Sequence, residues 1–309
     1  MPQKLAVVAF AVSPEDGETE SVLQAIERGG GEVESHNWVR VTGSASGGAA
    51  ADVEGYNALT VHVRADSAET LRAALQPDRR VQLIPGIDLN VIDPRWMDQS
   101  RRKLVVTDVD STLIRQEVVE LLAAHAGRER EVAEVTERAM RGEIDFKESL
   151  RARVAVLEGL PESVLADVAA TVRLSPGAQV MVKTFTAAGH AVAAVSGGFI
   201  QVLEPIVAQL GLTRAAANAL EVHDGRLTGR IGGRIVDGEA KARLLREWAE
   251  ELDVAPEDVI AVGDGANDVE MARAAGLSVA YRAKPVLREV ADAQLSIPNL
   301  DALRFFVDL

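Results

Sequence analysis

The chain contains no cysteine. That excludes disulfides, thiolate metal sites and cysteine nucleophiles, and it fits a reducing cytoplasm. Long apolar runs are missing too: none approaches the ~18–20 residues that a membrane-spanning helix needs. The N-terminal run LAVVAFAV is short, and the acidic PEDGETE that follows has no cleavage-site pattern, so no anchor or leader is expected there. Positive charge is scarce. Asp and Glu number 47 against 33 Lys and Arg, a formal net charge of −14. A basic footprint for nucleic acid is therefore absent, and an anionic membrane surface would repel the chain. An anionic substrate would need positive charge supplied locally. The five histidines (His36, His62, His125, His190, His223) form no pair with metal-ligand spacing and read as structural or surface residues. No internal repeat or low-complexity tract is evident.

What is present suffices for about two domains: 309 residues, 47% of them apolar. In the first ninety residues LAVVAFAV reads as a strand and TESVLQAIERGG as a helix stopped by glycine. EVESHNWVRVTG is a strand, followed by the small-residue loop SASGGAAADVEG. NALTVHVRAD is a strand, SAETLRAALQ a helix capped by Ser67, and RRVQLIPG a closing strand. This β-α-β-β-α-β order is the split βαβ pattern of a ferredoxin-like module, assigned to residues 1–92. It resembles the ACT domain, a small amino-acid-sensing module. The polar segment DLNVIDPRWMDQSRR reads as a linker, bounded as 93–102.

From Leu104 the pattern becomes strands separated by helices, the mark of a parallel α/β sheet over 103–309. LVV (104–106), HAVAAV (190–195) and DVIAVG (258–263) are candidate buried strands, each ending in a polar or glycine-rich loop. Ligands in such sheets bind beyond the carboxyl ends of the strands, where these loops would gather. EVVELLAAHA, REVAEVTERAMRG, FKESLRARVAVLEG and ESVLADVAATV carry helical spacing. Together they form too much helix for one crossover, so a helical cap is expected at about 116–172. ALEVHDGRLTGRIGG reads as a hairpin turning at Asp224-Gly225.

The loop after the first of these strands reads DVDST. An isolated DxD is more often a capped, solvated turn than a site. Here SGG (196–198) and GDGAND (263–268) occupy equivalent strand ends, so three acidic or phosphate-friendly loops would converge. Two carboxylates two residues apart on extended backbone face the same side. No Ser-His-Asp arrangement can be assembled, which disfavours serine nucleophilic catalysis.

These motifs resemble the haloacid dehalogenase phosphatases: DVDST, Ser196, Lys241 and GDGAND in that order. VVTDVDSTLIRQE, AMRGEIDFKESLRARV, VSGGF, the DGRLTG hairpin and VGDGANDVEMARAAGL are similar to the phosphoserine phosphatase family across roughly residues 100–309. The resemblance implies an α/β Rossmann-like sheet with a helical cap, hydrolysis of O-phospho-L-serine through an aspartyl phosphate, and a role in serine biosynthesis. It implies Asp108 as nucleophile, Asp110 as general acid and base, and Lys241 as the cation neutralising Asp108 and the phosphoryl group. Mg²⁺ is the implied cofactor, held by Asp108, the backbone carbonyl of Asp110, and Asp264, with Asp268 in support. Ser196, the Gly197 amide and Asn267 are implied in phosphate binding, and Thr112 in supporting the nucleophile loop. Glu117 would take the substrate ammonium and Arg153 its carboxylate, with Arg151 the neighbouring candidate. Met140 and Phe146 would exclude water.

A related enzyme acting on another small phospho-metabolite, or an amino-acid-sensing regulatory protein, are the alternatives. The four intact motif residues speak against the second. In the N-terminal module Gly17 sits among acids in SPEDGETE, which disfavours an amino-acid carboxylate. The expectation is a homodimer assembled through this module, with amino-acid binding secondary or lost.

Overall fold

A computed structural model describes residues 2–11, 18–42, 55–140 and 143–309, with 139 and 140 described by their backbone alone. Gly17 and most of the small-residue loop 44–55 lie outside the described residues. The first half runs β1 (Gln3–Ala11), α1 (Glu18–Arg28), β2 (Glu32–Val41), β3 (Tyr56–Ala65), α2 (Ala68–Leu75) and β4 (Asp88–Ile92). Its sheet has the antiparallel order β2-β3-β1-β4, the split βαβ arrangement. Ser67 caps α2 by accepting the Thr70 amide at 3.0 Å.

Strand alternation gives this sheet two apolar faces. Leu5, Val7 and Ala9 of β1 face the helices and pack with Val22, Ile26, Leu71 and Leu75. Ala6, Val8 and Phe10 face the opposite way and join the core of the second half of the chain. Phe10 lies edge-on to both Phe305 and Phe306, at ring-centroid separations of 6.1 and 5.4 Å. The two halves therefore share one core.

The closing strand expected in RRVQLIPG lies instead at β4, inside the segment read as linker. Val81 and Leu83 are exposed at 64% and 44%, and Gly86 adopts φ +83° in a turn, so the apolar alternation there is not buried. Every residue of β4 is buried, Asp88 and Asn90 included. Their polarity is spent on the second half. The Asn90 side chain donates to the Gln294 carbonyl (3.0 Å) and accepts from its amide (2.7 Å), and Asp88 accepts from the Ser296 amide. A single turn at Pro94–Met97, capped by Asp93 and burying Trp96, then leads onward.

The second half runs β5 (Leu104–Thr107), α3 (Val118–Ala126), α4 (Glu129–Met140), α5 (Phe146–Ala155), α6 (Ser163–Thr171), α7 (Ala178–Ala187), β6 (Ala191–Phe199) and α8 (Ile200–Leu210). It continues with β7 (Arg214–His223), β8 (Arg226–Gly232), α9 (Gly238–Glu251), β9 (Val259–Gly263), α10 (Val269–Ala274), β10 (Leu277–Tyr281), α11 (Pro285–Arg288) and β11 (Ala293–Leu295). The sheet order is β11-β10-β9-β5-β6-β7-β8, parallel except for the β7–β8 hairpin. That hairpin turns through left-handed Asp224 and Gly225, as the sequence suggests. The chain leaves β5 toward β6 and later returns to β9 on its other side, which makes the carboxyl end of β5 a topological switch point. Helices α3 to α6 are inserted between β5 and β6. The Asp145–Glu148 capping box fixes the start of α5.

Candidate active site

Because β5 is buried from Leu104 to Thr107, the chain has no freedom to shift before it surfaces at Asp108. The Asp108 amide donates to the Val262 carbonyl of β9 at 2.8 Å, so the adjacent strand fixes the first carboxylate. The next residues form one wide turn, in which the Leu113 and Ile114 amides reach back to Asp108 and Val109. Ser111 adopts φ 56° within it. A left-handed serine is uncommon and locally strained. Its hydroxyl donates to Glu117 at 2.8 Å, which ties the turn to the start of α3.

Lys241, in the first turn of α9, is completely buried. Its ammonium donates to Asp108 Oδ1 at 2.6 Å and to Asp268 Oδ1 at 2.7 Å. The other Asp268 oxygen accepts the Asp264 and Gly265 amides at 3.1 and 3.2 Å. Both Asp268 oxygens thus brace Lys241 and the loop after β9. Gly263 allows this: a Cβ there would collide with the Asp268 carboxylate. Asp108 Oδ2, in contrast, makes no hydrogen bond with the described residues and remains available for chemistry.

Burial and the neighbouring Asp268 push the Asp108 carboxyl well above the usual range, against the pull of Lys241. Burial and Asp268 likewise push Asp264 up to about 6. Burial opposes the Lys241 charge, but Asp108 and Asp268 outweigh it and raise its proton affinity. The cluster is short of positive charge. Asp108, Asp264 and Asp268 each offer an oxygen within 4.8 Å of the others, a hard donor set suited to a divalent cation.

Asp110 points elsewhere. Its Oδ1 accepts the Val118 amide at 2.8 Å, and its Oδ2 accepts the Ser196 hydroxyl at 2.9 Å. Burial, then Glu117, push its carboxyl up to about 6. Ser196 in turn accepts the Gly198 amide at 2.7 Å. A Cβ on Gly198 would stand 2.6 Å from Asp110 Oδ2, so only glycine permits this approach. The phenyl ring of Phe146 closes over Gly197, 3.1 Å from where a Cβ would be.

Arg153, half-buried on α5, lies within electrostatic reach of Glu117 and Asp110. Burial lowers the proton affinity of its guanidinium, and these carboxylates oppose the drop. Arg151 is exposed and lines a different cleft, so the two arginines considered for one task separate in space. Thr112 is buried behind the turn, and its hydroxyl finds no partner among the described residues. Asn267 is half-buried in the turn after β9. Met140's side chain lies outside the described residues.

Sequence reasoning missed Asn218. Buried in β7, it donates to the Gly197 carbonyl and accepts the Val236 amide, both at 2.8 Å, and so braces the end of β6 against the approach to α9. One amide within the otherwise apolar AAANAL was the available signal. Also missed was the Ser111–Glu117 bond.

Residues 105–273 match the family model of haloacid dehalogenase-like hydrolases, and the chain belongs to that family. Members with phosphatase activity use a metal ion, for which the acidic trio is a fit. The phosphoserine phosphatase of Streptomyces coelicolor is 51% identical over 241 residues, which is 78% of this chain and 58% of that protein. The chain thus spans little more than half of that relative's length. A solved structure described as a phospho-aspartyl intermediate analogue of phosphoserine phosphatase superposes with a TM-score of 0.64. It is 39% identical and covers 67% of this chain and 99% of its own. A haloacid dehalogenase family hydrolase from Salmonella enterica serovar Typhi superposes over nearly the whole length. Its TM-score is 0.79 at 27% identity, covering 98% of this chain and 99% of its own. Among the described residues no helix is long and apolar enough to cross a membrane.

Proposed function

We propose that the chain is a phosphoserine phosphatase that hydrolyses O-phospho-L-serine to L-serine and phosphate, in the service of serine biosynthesis. The observation that carries this reading is the unoccupied Oδ2 of Asp108, held in place by Lys241 beside a buried Asp110 and the Glu117/Arg153 pair. The likeness to the Streptomyces enzyme supports it.

In this reading Asp108 Oδ2 attacks phosphorus, and the bond from phosphorus to the seryl oxygen breaks. Asp110, whose proton affinity burial and then Glu117 raise to about 6, delivers a proton to the departing oxygen. It then accepts a proton from the water that attacks the aspartyl phosphate, which releases phosphate, frees the Asp108 carboxylate and returns Asp110 to its protonated form. Lys241 neutralises Asp108 and the phosphoryl oxygens. Ser196, the Gly197 amide and Asn267 hold those oxygens, and Thr112 supports the turn. Glu117 takes the substrate ammonium, Arg153 takes its carboxylate, and Met140 and Phe146 shut out water.

Mg²⁺ is the proposed cofactor, held by Asp108, the Asp110 carbonyl and Asp264, where it would offset the negative charge that carboxylates and phosphate bring together. Residues 1–92 are proposed as an ACT-like module, 93–102 as a linker, and 103–309 as the catalytic domain with its cap at about 116–172. The protein is proposed to be cytoplasmic and to form a homodimer through the N-terminal module, whose β2 stands at a sheet edge with most side chains exposed. Amino-acid binding by that module is secondary. The test is phosphate release from L-phosphoserine with Mg²⁺. Turnover is expected, with loss on chelation and in Asp108→Asn; turnover retained in Asp108→Asn refutes the assignment.

A further inference from the structure

A cleft of about 720 Å³ opens between α5, β8 and the start of α9, lined by none of the active-site residues described above. In a chain with net charge −14 it is conspicuously basic. Helix α5 contributes Lys147 and Arg151, one turn apart on one face. Arg230 of β8 and Arg234 of the following turn form a second wall, and Arg243 of α9 a third. Within the lining only Asp237 and Glu239 carry the opposite charge to these five cations.

Elsewhere on this surface arginines are commonly paired, as in Arg101–Asp258, Arg214–Glu251 and Arg273–Glu270. Here Lys147 pairs with Asp237 at 2.7 Å and Arg243 with Glu247 at 3.3 Å. Arg151, Arg230 and Arg234 have no hydrogen bond or ion pair among the described residues. Like charges gathered in a concavity repel one another unless an anion joins them. The walls are also firmly set. At Gly229 (φ +73°) the hairpin approaches α5 so closely that a Cβ would stand 3.0 Å from Glu158 Cβ. The volume suits a metabolite-sized ligand, and guanidinium forks match phosphate and carboxylate oxygens.

We propose that this cleft is a second binding site, for a small polyanion carrying two or more phosphate or carboxylate groups, which bridges α5 to the β8–α9 segment. The same two helices hold the active-site cations. Arg153 lies two residues beyond Arg151, and Lys241 two residues before Arg243. An anion seated across the cleft clamps those helices together and couples its own binding to the active site. The proposal holds whichever phosphoester the active site accepts.

The test is isothermal titration of the full chain with inorganic tripolyphosphate in magnesium-free, low-salt buffer. Saturable one-to-one binding is expected, weakening as salt is added. The exposed Arg230→Glu/Arg234→Glu pair is expected to weaken it by about tenfold or more, and Arg151→Gln independently by several-fold. Ser196→Ala is expected to bind within about twofold of wild type. Hydrogen exchange across 146–155 and 226–243 is expected to slow on binding in wild type and in Ser196→Ala, and not in the double variant. Absence of saturable binding, retention in the double variant, loss in Ser196→Ala, or unchanged exchange in wild type overturns the proposal.

Discussion

The hydroxyl of Tyr56, at the start of β3, donates to the Asp301 carboxylate at 2.9 Å, 245 residues further along the chain. Both groups are buried, so neither can turn to water when the bond is lost. Tyr56→Phe is expected to destabilise the protein by about 1–3 kcal/mol, the cost of a buried group left short of a partner. Denaturant unfolding measures it. An unchanged midpoint would mean that the bond is dispensable, and phosphatase turnover is expected to stay near wild type.

Lys241 is the most consequential single cation. Lys241→Met removes the partner of two buried carboxylates at once. A stability loss of about 3–5 kcal/mol is expected by analogy with other buried pairs cut on one side. Phosphate release is expected to drop by about 10²–10³-fold or more, because the developing phosphoryl charge loses its fixed counter-ion. A variant with ordinary unfolding behaviour and measurable wild-type turnover would remove Lys241 from both roles.

Arg153 distinguishes recognition from chemistry. Arg153→Ala is expected to cost about 2–5 kcal/mol in kcat/KM toward L-phosphoserine. An ester without a carboxylate, such as p-nitrophenyl phosphate, is expected to lose far less. Equal losses on both would make Arg153 a structural residue.

Ser111→Ala frees Glu117 from its 2.8 Å anchor and leaves the reacting carboxylates untouched. One ordinary hydrogen bond is worth about 1 kcal/mol, so KM for L-phosphoserine is expected to rise several-fold with kcat little changed. Ser111→Thr is expected to restore part of the loss, and a fall in kcat alone would contradict this positioning role.

His190 offers a test by pH. The imidazole of the unfolded chain takes up its proton near 6.5, whereas burial, with Lys103 and Arg102 nearby, depresses the folded value to about 4. Between these values the unfolded chain binds a proton that the folded protein refuses. Stability due to this residue is therefore complete above about 6.5 and declines as pH falls toward 4. His190→Asn, which can still accept the Lys103 amide, is expected to flatten that part of the stability profile. An identical slope in the variant would assign the acid limb to other groups.

The parts of the fold legible in the sequence are those governed by local pattern. β5, β6 and β9 are apolar runs because both faces of a central parallel strand are covered, and their polar ends disclosed the loops of Asp108, Ser196 and Asp264. The cap at Ser67 and the Asp224-Gly225 turn obey short-range rules. β4 was misread because Asp88 and Asn90 can be buried there only with help from residues some two hundred positions away, beside the nearer Gln82 and Val8. Asn218 escaped notice for a similar reason, its partners lying about twenty positions away on either side. The Ser111–Glu117 bond, only six residues long, depends instead on the left-handed turn at Ser111 that no local pattern announces. The resemblance to known phosphatases, and no spacing rule, singled out Glu117 and Arg153.

The shared core has a consequence for how such a protein can be rearranged. A domain joined by a linker alone can be gained, lost or exchanged in one genetic event, because each piece keeps its own interior. Here Phe10 and Tyr56 complete an interior that Phe305 and Phe306 begin. Deleting the first ninety residues would leave an aromatic wound on the remainder, and grafting on a foreign module would need matching changes on both sides. The segments that carry Tyr56 and Asp301 are consequently bound to change together, although 245 residues of chain separate them.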